Sequence, residues 1–261
     1  MEKNLNNLAA IVQECGRYIL QINNTLERLS IAAKSLNSLV TEIDIAAESF
    51  LTEKLSVLLP EATFLTEEGT VTSIKSDLYW IIDPIDGTTN FIHKVPFWGI
   101  SVALCCESKI VMAVVADVPN GDIYAAELYG GAFKNNKMIS VSQQNKLADS
   151  LIATGFPYYD FSKNEEYLNV LGKLMQNTRG IRRCGAASLD LCYTASGTFD
   201  AFFEFGLSPW DVAAGALIVQ EAGGIVVDFS KGDNWLFGME IIACNPYVAE
   251  EFIALIAKEF C

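Results

Sequence analysis

Nine consecutive residues, Asp83-Pro84-Ile85-Asp86-Gly87-Thr88-Thr89-Asn90-Phe91, hold the densest chemistry in the chain. They follow Tyr79-Trp80-Ile81-Ile82, a short apolar run of the kind found in a strand buried on both faces. Two carboxylates therefore leave the end of a strand, where ligand crevices of α/β proteins open. Pro84 biases Asp83 away from helical geometry, and Gly87 permits a backbone conformation that other residues disfavour. If a helical turn starts after Gly87, the free N–H groups of Gly87 and Thr88 form an anion site. Carboxylates beside such a cradle make electrostatic sense when divalent cations sit between them. Hard Mg²⁺ prefers the oxygens of carboxylates, carbonyls, water and phosphate. The plainer reading is an Asp-Pro and Asp-Gly turn.

Two further acidic sites carry the same pair of readings. Glu67-Glu68-Gly69 follows Phe64-Leu65, a second strand end, and alone it reads as a solvated acidic turn. Ser208-Pro209-Trp210-Asp211 opens the helix that continues Val212-Ala213-Ala214-Gly215-Ala216. Ser as N-cap, Pro at the first helical position and Asp at the third make a start like a capping box. The small residues and Trp210 suggest close packing against another layer. Other chemistries lose support: GxSxG, GxxxxGK[ST] and GxGxxG are absent, and His93 is the only histidine. The seven cysteines (15, 105, 106, 184, 192, 244, 261) form no CxxC pair and read as reduced thiols of a cytoplasmic protein. Whatever reaction occurs must lean on carboxylates.

The elements that position these residues follow from periodicity. Leu8, Ile11, Val12, Cys15, Tyr18, Ile19 and Ile22 predict a helix from Leu5 to about Ser30, and a second should run from about Thr41 to Leu58, stopped by Pro60. Segments near 97–106, 109–117 and 122–127 suggest a β-meander. Strands are then expected near 150–154, 180–184, 199–204, 225–228 and 239–244, with helices near 163–176, 186–196 and 210–222 and a closing helix from about 246. The expectation is one α+β body over 1–261, with two sheet-bearing halves of about 1–142 and 143–261 in layers of helix and sheet. The 261 residues carry 18 Lys and Arg against 32 Asp and Glu, a formal charge of −14, which argues against a nucleic-acid backbone as main partner. No apolar run reaches the roughly 18 residues that cross a bilayer, and the N-terminus has no signal pattern.

Taken together, Asp83–Phe91 and Trp210-Asp211-Val212-Ala213-Ala214-Gly215 resemble the paired signature of the inositol monophosphatase family. The resemblance runs nearly end to end. Leu39-Val40-Thr41-Glu42-Ile43-Asp44 is similar to the family's early Val-Thr-x-x-Asp segment, Glu67-Glu68 to its Glu-Glu turn, and Arg182-Arg183-Cys184-Gly185-Ala186-Ala187-Ser188-Leu189-Asp190 to the substrate-side loop of bacterial members. Glu221-Ala222-Gly223-Gly224 closes the second signature.

The resemblance implies an α-β-α-β-α layered sandwich of the sugar phosphatase type, assembled as a homodimer. It implies that Glu67, Asp83 and the Ile85 carbonyl bind one Mg²⁺, that Asp83, Asp86 and Asp211 hold a second, and that a weaker third draws again on Glu67. Thr88, oriented by Asp44, would position or deprotonate the attacking water. The amides of Gly87 and Thr88 would hold phosphate, with Asp86 and Asp211 also facing the substrate. Glu204, seven residues before Asp211, matches the carboxylate that contacts a ring hydroxyl, and Gly185 and Ala187 line the substrate side. Some members carry Thr where Ala186 stands, so that hydroxyl is missing here.

The expected activity is Mg²⁺-dependent, lithium-sensitive hydrolysis of a small polyol phosphate, myo-inositol 1-phosphate foremost, by metal-activated water and in-line attack. Two or three Mg²⁺ would bring about +4 to +6 against the four acidic residues Glu67, Asp83, Asp86 and Asp211, so a dianion is no longer repelled. Fructose-1,6-bisphosphatase and nucleotide 3′,5′-bisphosphatase are the alternatives within the superfamily. A regulatory binding role in a transcription complex is the alternative of a different class. Arg182-Arg183 is the only compact basic spot, so neither direct nucleic-acid binding nor a membrane partner is expected.

Overall fold

The computed structural model describes residues 2–29, 36–70, 76–156 and 161–260. Two long helices come first, α1 (Glu2–Leu29) and α2 (Leu36–Leu58). Leu8, Val12, Cys15 and Ile19 of α1 and Ile43, Ala47, Leu51 and Leu55 of α2 recur at helical spacing and are buried. α2 is already helical at Leu36, ahead of the expected Thr41, and no Gly or Pro in Leu36–Val40 breaks it.

Next come β1 (Thr63–Thr66), β2 (Leu78–Asp86), a short helix α3 (Thr88–Ile92), β3 (Gly99–Cys106), β4 (Lys109–Asp117), β5 (Asp122–Glu127), β6 (Gly131–Lys134) and β7 (Lys137–Met138). They form one seven-stranded sheet in chain order, with β1 and β2 parallel and the other neighbours antiparallel. The expected meander is its centre. The sequence pattern missed β6 and β7, which are short, β6 half-buried and β7 exposed.

Beyond a 3₁₀ turn (Leu147–Asp149) lie β8 (Leu151–Thr154), α4 (Asn164–Asn177), β9 (Gly180–Arg182), α5 (Ala187–Ala195), β10 (Ala201–Phe205), α6 (Pro209–Glu221), β11 (Ile225–Val227), β12 (Glu240–Cys244) and α7 (Ala249–Phe260). The second sheet runs β11-β12-β10-β8-β9, with β10 parallel to β8 and antiparallel to β12.

Three apolar layers join these pieces. Trp80, Ile82, Ile100 and Val102 pack with α1 and α2, while Tyr79, Ile81, Ala103 and Val115 meet α5, α6 and the second sheet. Phe202, Ile241 and Ala243 share this middle layer, whereas Phe203, Ile242 and Ile152 pack with α4 and α7. Adjacent strand residues thus serve opposite layers, the period of two that buries a sheet on both faces. The result is the α-β-α-β-α sandwich expected above. In the middle layer α5 and α6 touch closely: a Cβ on Gly215 would lie 2.6 Å from Leu191 Cβ. Among the described residues no helix is long and apolar enough to cross a membrane.

Candidate active site

β2 runs further than the apolar pattern suggests. It continues through Pro84 to Asp86, so the two aspartates lie on the strand rather than beyond it. Asp83 pairs with Ser101 and Asp86 with Gly99, three residues against two, which places a bulge at Pro84-Ile85. A bulge tolerates a proline that lacks a ladder N–H. It also brings residues three apart to the same side, which regular alternation would separate.

The outcome is a cluster of like charges. Carboxylate oxygens of Asp83, Asp86 and Asp211 lie within 4.8 Å of one another. Asp83 is 1% exposed and is pushed well above the usual carboxylate range by burial, then by Glu67, Asp86 and Asp211. Asp211, third residue of α6, is pushed up to about 8 by burial and then by Asp86. Its Oδ2 accepts the Ser208 N–H at 2.6 Å, so the capping start and the place in the cluster coexist. Burial raises Asp86 too, offset by hydrogen bonds from the first residues of α5. Asp86 Oδ2 accepts both the Ser188 N–H, at 2.7 Å, and the Ser188 hydroxyl.

Among the described residues, none of the ion pairs reaches these three aspartates. Two buried carboxylates and a half-buried one, all offering hard oxygens, are the donor set that fits Mg²⁺.

Gly87 stands next to the cluster at φ 90°, just before α3. A Cβ there would lie 3.1 Å from Ala186 Cβ and 3.2 Å from the carbonyl oxygens of Gly185 and Phe97, so only glycine suits both the dihedral and the gap. The helical turn expected after it is present. The Thr88 hydroxyl donates to the Ile85 carbonyl oxygen at 3.0 Å rather than to Asp44, and the Ile85 N–H donates to Asp83 Oδ1 at 3.0 Å. Asp44 is buried on α2 and pushed up to about 8 by burial, then by Glu68, Glu67 and Glu48.

Glu67 follows β1 and is tied to β2 by its N–H on the Ile82 carbonyl oxygen, at 3.3 Å. It lies outside the tight trio. The residue as a whole is exposed, yet its carboxyl end meets Asp83 and is pushed up to about 7, foremost by desolvation.

The 182–190 segment docks onto the first signature through Asn90, whose Nδ2 donates to Phe97 O at 2.7 Å and Cys184 O at 2.8 Å. Gly185 has φ 94°, and Ala187 is the buried first residue of α5. Glu204 is buried on β10; burial pushes it well up, then Asp190, Asp211 and Asp86, against the pull of Arg183. Gly155 leaves the space it occupies: a Cβ there would fall 1.8 Å from Glu204 Oε1. The Cys184 thiol is pushed up to about 12 by burial and Asp190, which makes it a poor nucleophile. His93 is exposed at the end of α3.

Two buried acids were given no role by the sequence reading. Asp190 is 1% exposed, and neither of its carboxylate oxygens has a hydrogen-bond partner among the described residues. Glu48 is fully buried on α2 and accepts four hydrogen bonds from residues 66–70. The sequence carries only a weak signal for it: it stands one helical turn after Asp44, on the same face.

Comparison with known proteins gives one consistent result. The model of the inositol monophosphatase family matches residues 2–260. A relative described as a putative Nus factor SuhB, from Neisseria meningitidis serogroup B, is 41% identical over 97% of this chain and 97% of its own length. The Nus factor SuhB of Escherichia coli is 37% identical over 99% and 97%. Among solved structures, the native extragenic suppressor protein suhB from Bartonella henselae superposes with a TM-score of 0.87 at 35% identity, covering 97% of this chain and 98% of its own. Inositol monophosphatase from Anabaena (Nostoc) sp. gives 0.82 at 29%, covering 98% and 97%.

Proposed function

Because the chain belongs to the inositol monophosphatase family, we propose that it is a Mg²⁺-dependent phosphomonoesterase whose substrate is a small polyol phosphate, myo-inositol 1-phosphate foremost. The observation that carries this reading is the trio Asp83, Asp86 and Asp211, converging within 4.8 Å with no ion pair to a cationic side chain among the described residues.

In this reading Asp83, Asp86, Asp211, Glu67 and the Ile85 carbonyl are the ligands of two to three Mg²⁺. Mg²⁺ held there supplies a lowered water pKa and screens the attacking and leaving oxygens of the ester. The amides of Gly87 and Thr88 orient the phosphate, and the gap that admits only glycine keeps the backbone close to it. Thr88 spends its proton on the Ile85 carbonyl, so its hydroxyl oxygen is left to accept from water and position it. Asp44, buried on the neighbouring helix, supports that end of the site. Glu204 accepts a ring hydroxyl, while Gly185 and Ala187 line the substrate side.

Glu204 also favours a polyol monophosphate over fructose 1,6-bisphosphate or a nucleotide 3′,5′-bisphosphate, because a buried carboxylate repels a second phosphate. The same reading expects a cytoplasmic homodimer inhibited by lithium. With Mg²⁺, purified protein should release phosphate from myo-inositol 1-phosphate and lose that activity in EDTA. Folded, Mg²⁺-saturated protein that releases none from it or from a panel of polyol phosphates would overturn the proposal.

A second reading, a place in a transcription complex, is favoured by the name Nus factor that close relatives carry. It adds protein or nucleic acid to the partners open to this chain, despite the acidic charge. Retention of transcription machinery by a catalytically silent Asp86→Asn protein would support it.

A further inference from the structure

Residues 67–70, which carry Glu67 just beyond β1, have no regular structure of their own, yet they are pinned from one side by a single buried carboxyl group. Glu48 Oε1 accepts the Thr66 hydroxyl at 2.9 Å, the Thr70 N–H at 2.8 Å and the Thr70 hydroxyl at 2.6 Å. Its Oε2 accepts the Glu68 N–H at 2.8 Å. All four donors lie within residues 66–70 and bracket Glu67, whose own carboxyl meets Asp83. A fully buried acid is an expensive latch, and here it faces Asp44, Glu67 and Glu68, all of which it repels. A hydrophobic contact or a neutral amide would hold a mere surface loop at lower cost.

We propose that Glu48 is a positioning residue for the cation site: its carboxylate fixes the loop after β1 so that Glu67 stands over Asp83, and thereby sets how tightly a divalent cation is taken up. The proposal rests on the reading of Glu67 as a ligand. The geometry makes it specific to a carboxylate. Each oxygen accepts a backbone N–H, and the amide of glutamine would turn an NH₂ group toward one of them, leaving two donors face to face. Aspartate would fall short by one methylene.

The test compares Glu48→Gln, Thr70→Ala and Glu67→Gln in the full-length protein. Hydrogen exchange of the metal-free protein reads the latch directly, at the amides of Glu68 and Thr70. Mg²⁺ titrations of melting temperature and of activity read the cation site. Glu48→Gln should speed exchange at both amides and raise the half-effective Mg²⁺ concentration about tenfold, the low end for groups that orient a metal ligand, with kcat at saturating Mg²⁺ retained. Thr70→Ala, which removes one of four donors and leaves the buried acid in place, should shift both readouts less and in the same direction. It keeps the proposal testable if Glu48→Gln does not fold. Unchanged exchange, or a kcat loss that Mg²⁺ does not restore, overturns the proposal. So does faster exchange with an unmoved Mg²⁺ midpoint; if the Glu67→Gln midpoint is also unmoved, the fault lies in the assignment of Glu67.

Discussion

Asp83 and Asp86 reach the site from the last residues of a strand in the seven-stranded sheet, whereas Glu204 reaches it from a strand in the middle of the five-stranded one. The surroundings differ as well. Among the described residues no ion pair reaches the trio of aspartates, while Arg183 draws Glu204 and Asp190 down against their burial. The first region is built to take up positive charge from outside. The second, with Gly155 hollowed out beneath Glu204, is built to hold one acid in one place. Under the proposed function, the first would serve any phosphate ester, and the second would read the alcohol attached to it.

Breaking the first region should cost the most. Asp86→Asn keeps an acceptor for the Ser188 N–H and should stay folded. It should lose at least the roughly 100-fold in kcat typical of removing one group that stabilises transition-state charge, on every substrate alike. A variant that retains its rate removes Asp86 from the chemistry. Damage to the second region should be selective instead. Glu204→Gln and Gly155→Ala should each lower kcat/KM for inositol 1-phosphate about tenfold relative to a plain aryl phosphate, the scale of one lost hydrogen bond to a charged group. Equal losses on both substrates would erase the distinction between the regions.

The smallest effect sharpens the comparison through pH. Asp44 and Asp211 are held near about 8 and Glu67 near about 7, against about 4 for carboxylates in an unfolded chain. Between those limits the folded metal-free protein binds more protons than the unfolded one, so its stability falls as pH rises from about 4 to about 8. Its melting temperature should be a few degrees lower at pH 8 than at pH 6, and the increment gained on adding Mg²⁺ should be larger at pH 8. A flat profile would mean that the acidic cluster is not strained.

Much of the site was legible because its chemistry is contiguous. Asp83–Phe91 and Trp210–Gly215 each sit on one short segment, and the alternating layers of Tyr79–Ile82 follow from their apolar run. The continuation of β2 through Pro84 was not legible, since proline ordinarily ends a ladder and only the partner strand's register reveals the bulge. Asp211 looked like a choice between cap and ligand; the structure lets one carboxylate do the first while standing where the second requires. Glu48 and Asp190 were hidden for a simpler reason. An acid on an amphipathic helix reads as solvated face, and only the packing of α2 against the loop, or of α5 inside the middle layer, turns it inward.

The ties that close the site span the whole chain. Asn90 reaches Cys184, Asp86 reaches Ser188 and Ser101 donates to the Trp210 carbonyl oxygen at 3.0 Å, across 94, 102 and 109 residues. Contacts of such separation form late, because the entropy of closing a long loop is spent before they are gained. A ribosome must therefore have emitted the first sheet and the chain as far as α6 before the three aspartates can meet, and no fragment that ends before Asp211 contains the acidic cage.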